Sequence, residues 1–289
     1  MQIRDGHQVA ALTIAGSDSG GNAGVQADIR AFHVFGLHAC TVFTSLTAQN
    51  PSGVSGVLVP DVAFLEKQLD AVLPAYAIGA IKTGMLATAE VIRCVASKLR
   101  DGPRIPMVVD PVMVATSGAK LLADDAIGTL RTDLIPLACL ATPNIPEAEI
   151  LSGHAIRSSS DMLAAARAIR AEAGCAVLVK GGHHIGHEEG DHDEFLARDV
   201  LVCDDGVFRF SSPAIANPAS THGTGCSLSA AIAASLALGH TLPEAVRDGK
   251  AYVYESIRTS LSVGPAATVL GTPDLSALAS APVSVERAS

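Results

Sequence analysis

The six cysteines, Cys40, Cys94, Cys139, Cys175, Cys203 and Cys226, form no Cys-x-x-Cys pair, so neither a zinc knuckle nor a thiol redox motif is indicated. Several fall in strand-like runs, where a buried thiol is the usual outcome and a reducing compartment suits a large chain without disulfides. Basic runs are missing too, and with a formal net charge of −9 a nucleic-acid surface is disfavoured. No secretory pattern opens the chain: Met1 to Gln8 is polar, and the apolar run after it is only strand length, so a cytoplasmic protein without a membrane span is expected. The glycine-rich stretch Gly16-Ser-Asp-Ser-Gly-Gly has neither the G-x-G-x-x-G spacing of a dinucleotide fold nor the G-x-x-x-x-G-K-[ST] of a P-loop. A nucleotide, if bound, must be held another way.

The last absence is the most informative. From Phe210 to Pro243 there is no Asp, Glu, Lys or Arg. Within that span, Thr224 to Gly239 is rich in helix formers, ends on a glycine suited to helix termination and has no polar face. A helix apolar all round is a buried helix, and this one is too short and too serine-rich for a membrane. It begins at Gly223-Thr-Gly-Cys226, where unpaired N–H groups and the positive dipole end make an anion site.

Around it, strands and helices alternate. Val9–Ala15 is a continuous apolar run of the buried parallel type, followed by the Gly16–Gly24 loop and a helix with Val25, Ile29, Phe32 and Gly36 on one face. Strands are predicted at His38–Ser45, Val54–Val59, Ala80–Thr83, Met107–Asp110, Cys139–Thr142 and Ala176–Lys180. Helices are predicted from Asp61 to about Tyr76, from Thr88 to Arg100, from Ala123 to Ile135, from Asn144 to Leu151 and from the cap at Ser158 to Gly174. The segment 183–193 is polar and is expected to be a loop. A hairpin turning at Asp204-Asp-Gly206 precedes the apolar helix, and Thr241-x-x-Glu244 caps a last helix. This is an α/β pattern with a mostly parallel sheet, expected as one domain over residues 1–262 with a loosely ordered tail over 263–289.

In open parallel sheets ligands bind outside the C-terminal strand ends. The polar residues collect there: the glycine loop, Gln49, Lys82-Thr-Gly-Met85, Asp110, Asn144 with Glu147, and Lys180. A carboxylate ending a buried strand, as Asp110 does, is costly unless paired or near a metal. Together with Glu147 it would suit Mg²⁺, which prefers oxygen ligands and keeps waters; a salt bridge and a helix-start acid are the alternatives. Lys180 can neutralise phosphate or pair with an acid.

Ala15-Gly-Ser-Asp-Ser-Gly-Gly-Asn-Ala-Gly-Val-Gln-Ala-Asp28, Thr47-Ala-Gln-Asn50, Lys82-Thr-Gly-Met-Leu86, Asp110-Pro-Val-Met113, Thr142-Pro-Asn-Ile-Pro-Glu147, Val179-Lys-Gly-Gly-His183 and Thr221-His-Gly-Thr-Gly-Cys226 resemble, in order, the motifs of the bacterial hydroxymethylpyrimidine/phosphomethylpyrimidine kinases of thiamine biosynthesis. The resemblance implies a ribokinase-like three-layer α/β/α sandwich, ATP and Mg²⁺, a homodimer, and two successive phosphorylations, of 4-amino-5-hydroxymethyl-2-methylpyrimidine and then of its monophosphate. It implies that Gly223, Thr224 and Gly225 hold the charge of the transferring group and that Lys180, Asn144 and Thr224 meet the nucleotide phosphates. Asp110 and Glu147 would hold the metal. Gly16, Asp28, Gln49, Met85 and Val112 would line the pyrimidine, with Gln49 pairing its aminopyrimidine edge. Cys226 stands where most ribokinase-like kinases carry an Asp base. A thiol at a helix N-terminus is expected to have a lowered pKa and to take the hydroxyl proton; the alternative is that it only shapes the site. The family's usual C-terminal Gly-His-Gly-Pro and His-Phe motif is replaced here by Val263-Gly-Pro265 and an unrelated tail. Two other readings are a pyridoxine/pyridoxal kinase and a catalytically silent pyrimidine-binding module.

Overall fold

The computed structural model describes residues 3–4, 6–50, 53–113, 122–182 and 196–288. The polar segment 183–193, expected as a loop, lies outside the described residues.

Ten strands form one sheet: β1 Ala10–Asp18, β2 His38–Asn50, β3 Gly53–Leu58, β4 Ile78–Thr83, β5 Met107–Val109, β6 Leu140–Ala141, β7 Ala176–Lys180, β8 Leu196–Cys203, β9 Gly206–Pro213 and β10 Ser284–Ala288. Their spatial order is β10-β9-β8-β7-β6-β5-β4-β1-β2-β3. The six strands from β7 to β2 run parallel. Antiparallel strands flank them on both sides, β3 at one edge and β8, β9 and β10 at the other. The chain moves outward from β1 to β3 and then returns to β4 on the other side of β1. That reversal opens a crevice at the strand C-termini.

Helices cover both faces. On one lie α1 (Gly24–Val34), α7 (Thr224–Ala237), α8 (Leu242–Arg258) and α9 (Leu275–Ser280). On the other lie α2 (Val62–Val72), α3 (Ala89–Arg100), α4 (Asp124–Thr129), α5 (Ile145–Ser152) and α6 (Ser159–Ala173). The uncharged helix α7 is buried as its composition requires, packed between α1, α8 and the centre of the sheet. Gly249 of α8 lets the two helices touch, since a Cβ there would meet Ile232 Cγ1 at 2.6 Å.

Four expectations are corrected. β2 does not stop at Ser45 but continues to Asn50 and pairs with β3, so Gln49 lies on a strand rather than in a loop. The inward face of α1 carries Val25, Asp28 and Phe32, and Ile29 is exposed. The helix predicted over Ala123–Ile135 is α-helical only to Thr129, then widens into a π turn and tightens into a 3-10 turn. The tail is not loose: Leu261–Gly264 and Ala267–Val269 form a hairpin, α9 packs on α8, and β10 adds to the sheet beside β9 with Phe210 opposite Val285. Backbone pairing orders that strand although all five of its residues keep exposed surface, which is why apolar periodicity does not reveal it.

Candidate active site

The glycine loop is built around Asp18. Its carboxylate accepts the N–H of Gly20 at 2.8 Å and those of Asn22 and Ala23 at 2.9 Å. Burial pushes this carboxyl up, but His222 and these N–H groups hold it below the ordinary carboxylate range. Gly24, at φ +58°, starts α1 so close to β1 that a Cβ would lie 2.3 Å from Gly16 O. The loop in turn seats the turn before α7. Gly223 has φ +90°, and a Cβ on it would lie 1.9 Å from Asn22 O. The two glycine motifs, far apart in the chain, therefore meet backbone to backbone, and the free N–H end of α7 sits at the mouth of the crevice.

Beneath this turn lies a fully buried ion pair. Lys82 Nζ is 2.9 and 3.0 Å from the two Asp28 oxygens, and Thr13 Oγ1 donates to Asp28 at 2.5 Å. Neither charged side chain has any exposed surface. Burial pushes the Asp28 carboxyl up against the pull of Lys82 and Thr13, whereas Asp28 keeps Lys82 charged despite its own burial. The motif resemblance puts Asp28 at the substrate. It is instead sealed under the site, which corrects that assignment.

On the β5–β7 side Lys180 Nζ lies 2.7 Å from Asp110 Oδ1, and Thr142 and Ser229 donate to the same carboxylate at 3.2 Å. Burial raises Asp110, but Lys180 and Lys82 hold it below its ordinary value; burial lowers Lys180, but Asp110 and Glu147 hold it above. Glu147 closes a capping box at the start of α5: it accepts from Asn144 N at 2.9 Å, while Asn144 Oδ1 accepts from Glu147 N at 3.0 Å. Glu147 also accepts from Met113 N at 3.4 Å. Burial, relieved by Lys180 and aggravated by Asp110, pushes its carboxyl up to about 7. Gly225 completes the cluster, since a Cβ there would lie 3.5 Å from Lys180 Nζ and 4.0 Å from Asp110 Oδ2.

Cys226 is half-buried in the first turn of α7. Its thiol is not lowered as expected from a helix N-terminus. Burial pushes it up, Asp28 and Asp110 add to this, and Lys82 and the Gly24 N–H offset only part.

On the β1–β2 side Gly16, Met85 and Gln49 line the crevice. A Cβ on Gly16 would meet Ser45 Oγ at 2.5 Å and Met85 Sδ at 3.3 Å, so the glycine leaves room for the thioether. The Gln49 backbone is clamped by Ser19 Oγ, which accepts its N–H at 2.8 Å and donates to its carbonyl at 2.7 Å. Val112 is half-buried beyond Asp110, with its N–H on the Asp110 carbonyl at 2.8 Å. The fold thus gathers Gly16, Gln49, Met85, Asp110, Asn144, Glu147, Lys180 and Gly223–Cys226 at one edge, with Asp28 below it. Sequence reasoning missed Asp18, Lys82 as the partner of Asp28, and His222, whose Nε2 lies 3.4 Å from the Gln49 amide. A signal for Asp18 does exist: a carboxylate followed by loop residues with free N–H groups is an Asx-type organiser.

Comparisons with known proteins point to one family. The phosphomethylpyrimidine kinase family model matches residues 18–270. The chain is 42% identical to the hydroxymethylpyrimidine/phosphomethylpyrimidine kinase of Haemophilus influenzae, over 88% of this chain and 92% of that one. It is 45% identical to the thiamine biosynthesis bifunctional protein ThiED of Geobacter sulfurreducens, over 88% of this chain but only 50% of that longer protein. Pyridoxal kinase from Staphylococcus aureus, solved with AMP-PCP and pyridoxal, superposes with a TM-score of 0.83 at 29% identity, covering 98% of this chain and all of that one.

Proposed function

The chain belongs to the phosphomethylpyrimidine kinase family and is a phosphotransferase, and we propose that it transfers phosphate from ATP first to the hydroxymethyl group of 4-amino-5-hydroxymethyl-2-methylpyrimidine and then to the resulting monophosphate. The observation that carries this is the position of the α7 N-terminus, between the Lys180–Asp110 pair on one side and Gln49 on the other. Phosphoryl transfer asks a protein for positioning and charge stabilisation rather than covalent chemistry. The N–H groups at the start of α7, apart from that of Thr224, which donates to the Thr221 carbonyl at 3.4 Å, suit the charge on the transferring group. Lys180 exchanges the Asp110 carboxylate for phosphate oxygens, with Thr224 and Asn144 flanking it.

A divalent cation fits the carboxylate cluster. Asp110, Glu147 and Thr142 offer only oxygen donors, two carboxylates face one lysine, and the carboxyl of Glu147 is pushed up by burial and by Asp110 more than Lys180 pulls it down. Asp110 and Glu147 would hold Mg²⁺, in part through water because N–H groups already occupy Glu147. When bound, the ion supplies charge neutralisation to the ATP phosphates.

Cys226 accepts the proton of the substrate hydroxyl in the first step. Because the thiol is raised, it rests protonated near neutral pH, and the step draws on a small thiolate fraction. The second acceptor is a phosphate, already anionic, and needs no base. Gln49 offers the aminopyrimidine a donor and an acceptor side by side, with Met85, Gly16 and Val112 as the apolar wall.

The protein acts as a single kinase unit in the cytoplasm, where thiamine precursors and ATP are both at hand. Among the described residues no helix is long and apolar enough to cross a membrane. Leu46, Val57, Leu58, Val59 and Phe64 expose an apolar patch around the edge strand β3, a surface suited to a homodimer.

The test is product analysis by mass spectrometry with ATP and Mg²⁺, offering the hydroxymethylpyrimidine and pyridoxal together. Pyrimidine mono- and diphosphate are the expected products. Pyridoxal phosphate alone would refute the pyrimidine reading in favour of the activity that the Staphylococcus aureus neighbour is named for.

A further inference from the structure

The Gln49 amide lies between Thr47 and His222, and hydrogen-bond accounting determines which way it faces. Thr47 Oγ1 is 3.3 Å from Gln49 Oε1 and 2.9 Å from the carbonyl of Ser17. His222 Nε2 is 3.4 Å from Gln49 Nε2. As placed, the amide oxygen and the Ser17 carbonyl compete for the single proton of Thr47. A hydroxyl that has given its proton away still accepts. The shorter contact goes to Ser17, so the amide group beside Thr47 is best a donor. Oxygen and nitrogen of an amide differ little in shape, and only the surrounding network assigns them. Turned over, the amide donates to Thr47 and presents its oxygen to His222.

That orientation requires a proton on His222 Nε2. The ionised Asp18 supplies the reason for one, with Oδ2 3.9 Å from that nitrogen. Asp18 is itself fixed by three backbone N–H groups, and the His222 backbone is tied to Ser220 Oγ at 3.3 Å. Asp18, at the end of β1 and opposite Thr47 of β2, thus faces the ring, while Ser220 fixes the backbone that carries it.

We infer that His222 is a positioning residue for specificity: its Nε2–H fixes the Gln49 amide in one orientation, so that a substrate meets a single donor–acceptor order. One amide hydrogen and one oxygen lone pair remain free after Thr47 and His222 are served, which is what a ring nitrogen beside an exocyclic amino group needs. Without His222 only the 3.3 Å contact to Thr47 holds the amide, and the discrimination between an aminopyrimidine and a pyridine that lacks the amino group is weakened. The inference rests on Gln49 reading the pyrimidine, as proposed above.

The experiment is a double-mutant cycle, Gln49→Ala and His222→Ala singly and together, read by calorimetric binding of the hydroxymethylpyrimidine without nucleotide. His222→Gln, which returns an N–H near the position of Nε2, serves as the rescue. His222→Ala is expected to weaken binding about five- to tenfold, the worth of a lost hydrogen bond, and His222→Gln to recover most of it. In the Gln49→Ala background the same His222 change should move the dissociation constant less than about twofold. In turnover, His222→Ala should raise KM for the pyrimidine and leave pyridoxal binding unchanged. An equal loss in both backgrounds, or a fall in kcat with binding intact, overturns the inference, since His222 would then act on substrate directly or on the anion turn. If Gln49→Ala alone leaves binding unchanged, it is the reading of Gln49 that fails, and that single variant identifies it.

Discussion

Replacing Glu147 by Gln should stabilise the protein at alkaline pH while weakening it as a kinase. The Glu147 carboxyl titrates at about 7 in the folded chain against an ordinary 4.5, so its ionised form is opposed by roughly 3 kcal/mol. Because the folded value is raised, the stability it contributes is complete below pH 4.5 and is lost as pH rises through about 7. Gln keeps the acceptor that the Asn144 N–H requires in the capping box but meets the Met113 N–H less well, a cost of about 1 kcal/mol. The variant should match or fall slightly below the parent at about pH 5 and exceed it by about 1–2 kcal/mol at about pH 8. Urea denaturation at the two pH values measures this, and taking the difference between variant and parent cancels the titrating groups that do not interact with Glu147. ATP with Mg²⁺ should then raise the midpoint of the parent more than that of the variant. A stability difference that stays flat across that pH range would refute the account of Glu147 as a carboxyl raised by burial and by Asp110.

Lys82→Met should destabilise the fold by about 3–5 kcal/mol, because it leaves Asp28 buried and unpaired. Adding Asp28→Asn should recover a large part, as thermal melts of the three variants would show. Cys226→Ser should slow phosphorylation of the alcohol by roughly 10²–10⁴-fold and spare that of the monophosphate. The parent's first step should also climb with pH between about 7 and 9, following the thiolate, and single-turnover assays on each substrate separate the two steps. Leu58→Glu, which places a charge on the exposed edge at β3, should shift the protein from dimer to monomer in light scattering and remove the concentration dependence of its melting temperature.

The parallel core is legible because apolar strands with glycine or acid at their ends carry their own punctuation. Val9–Ala15, Ala80–Thr83 and Ala176–Lys180 all match the observed strands to within a few residues, and the capping residues Thr88 and Ser158 declare themselves by their own chemistry. What the sequence hides are features that depend on a distant partner. β2 runs past Ser45 because β3 is there to pair with it, and β10 exists because β9 offers an edge. Asp28 reads as an acid at the substrate until Lys82 of β4 is brought beneath it. Cys226 sits at a helix N-terminus, which alone predicts an acidic thiol. Only the packed structure adds the burial and the two carboxylates that reverse the sign.

The same logic explains how a site for phosphates can be built in a chain of net charge −9. Among the described residues the buried lysines are not free. Lys82 belongs to Asp28, Lys180 to Asp110, and Lys250 to Asp199, whose other oxygen accepts the N–H of Gly181 next to Lys180. Each pair joins different elements, β4 with α1, the end of β5 with β7, and β8 with α8, so the charges cross-link the C-terminal edge of the sheet. Of the three, only the Lys180–Asp110 pair touches the opening at Gly225. The other two are sealed and cannot change partners without exposing a buried charge. Among the described residues, the edge is therefore tied by sealed ion pairs except at the one pair that, on the proposed reading, a phosphate and a cation together would exchange with. The remaining positive character comes from backbone N–H groups, which need no counter-ion and lose no side-chain entropy on binding.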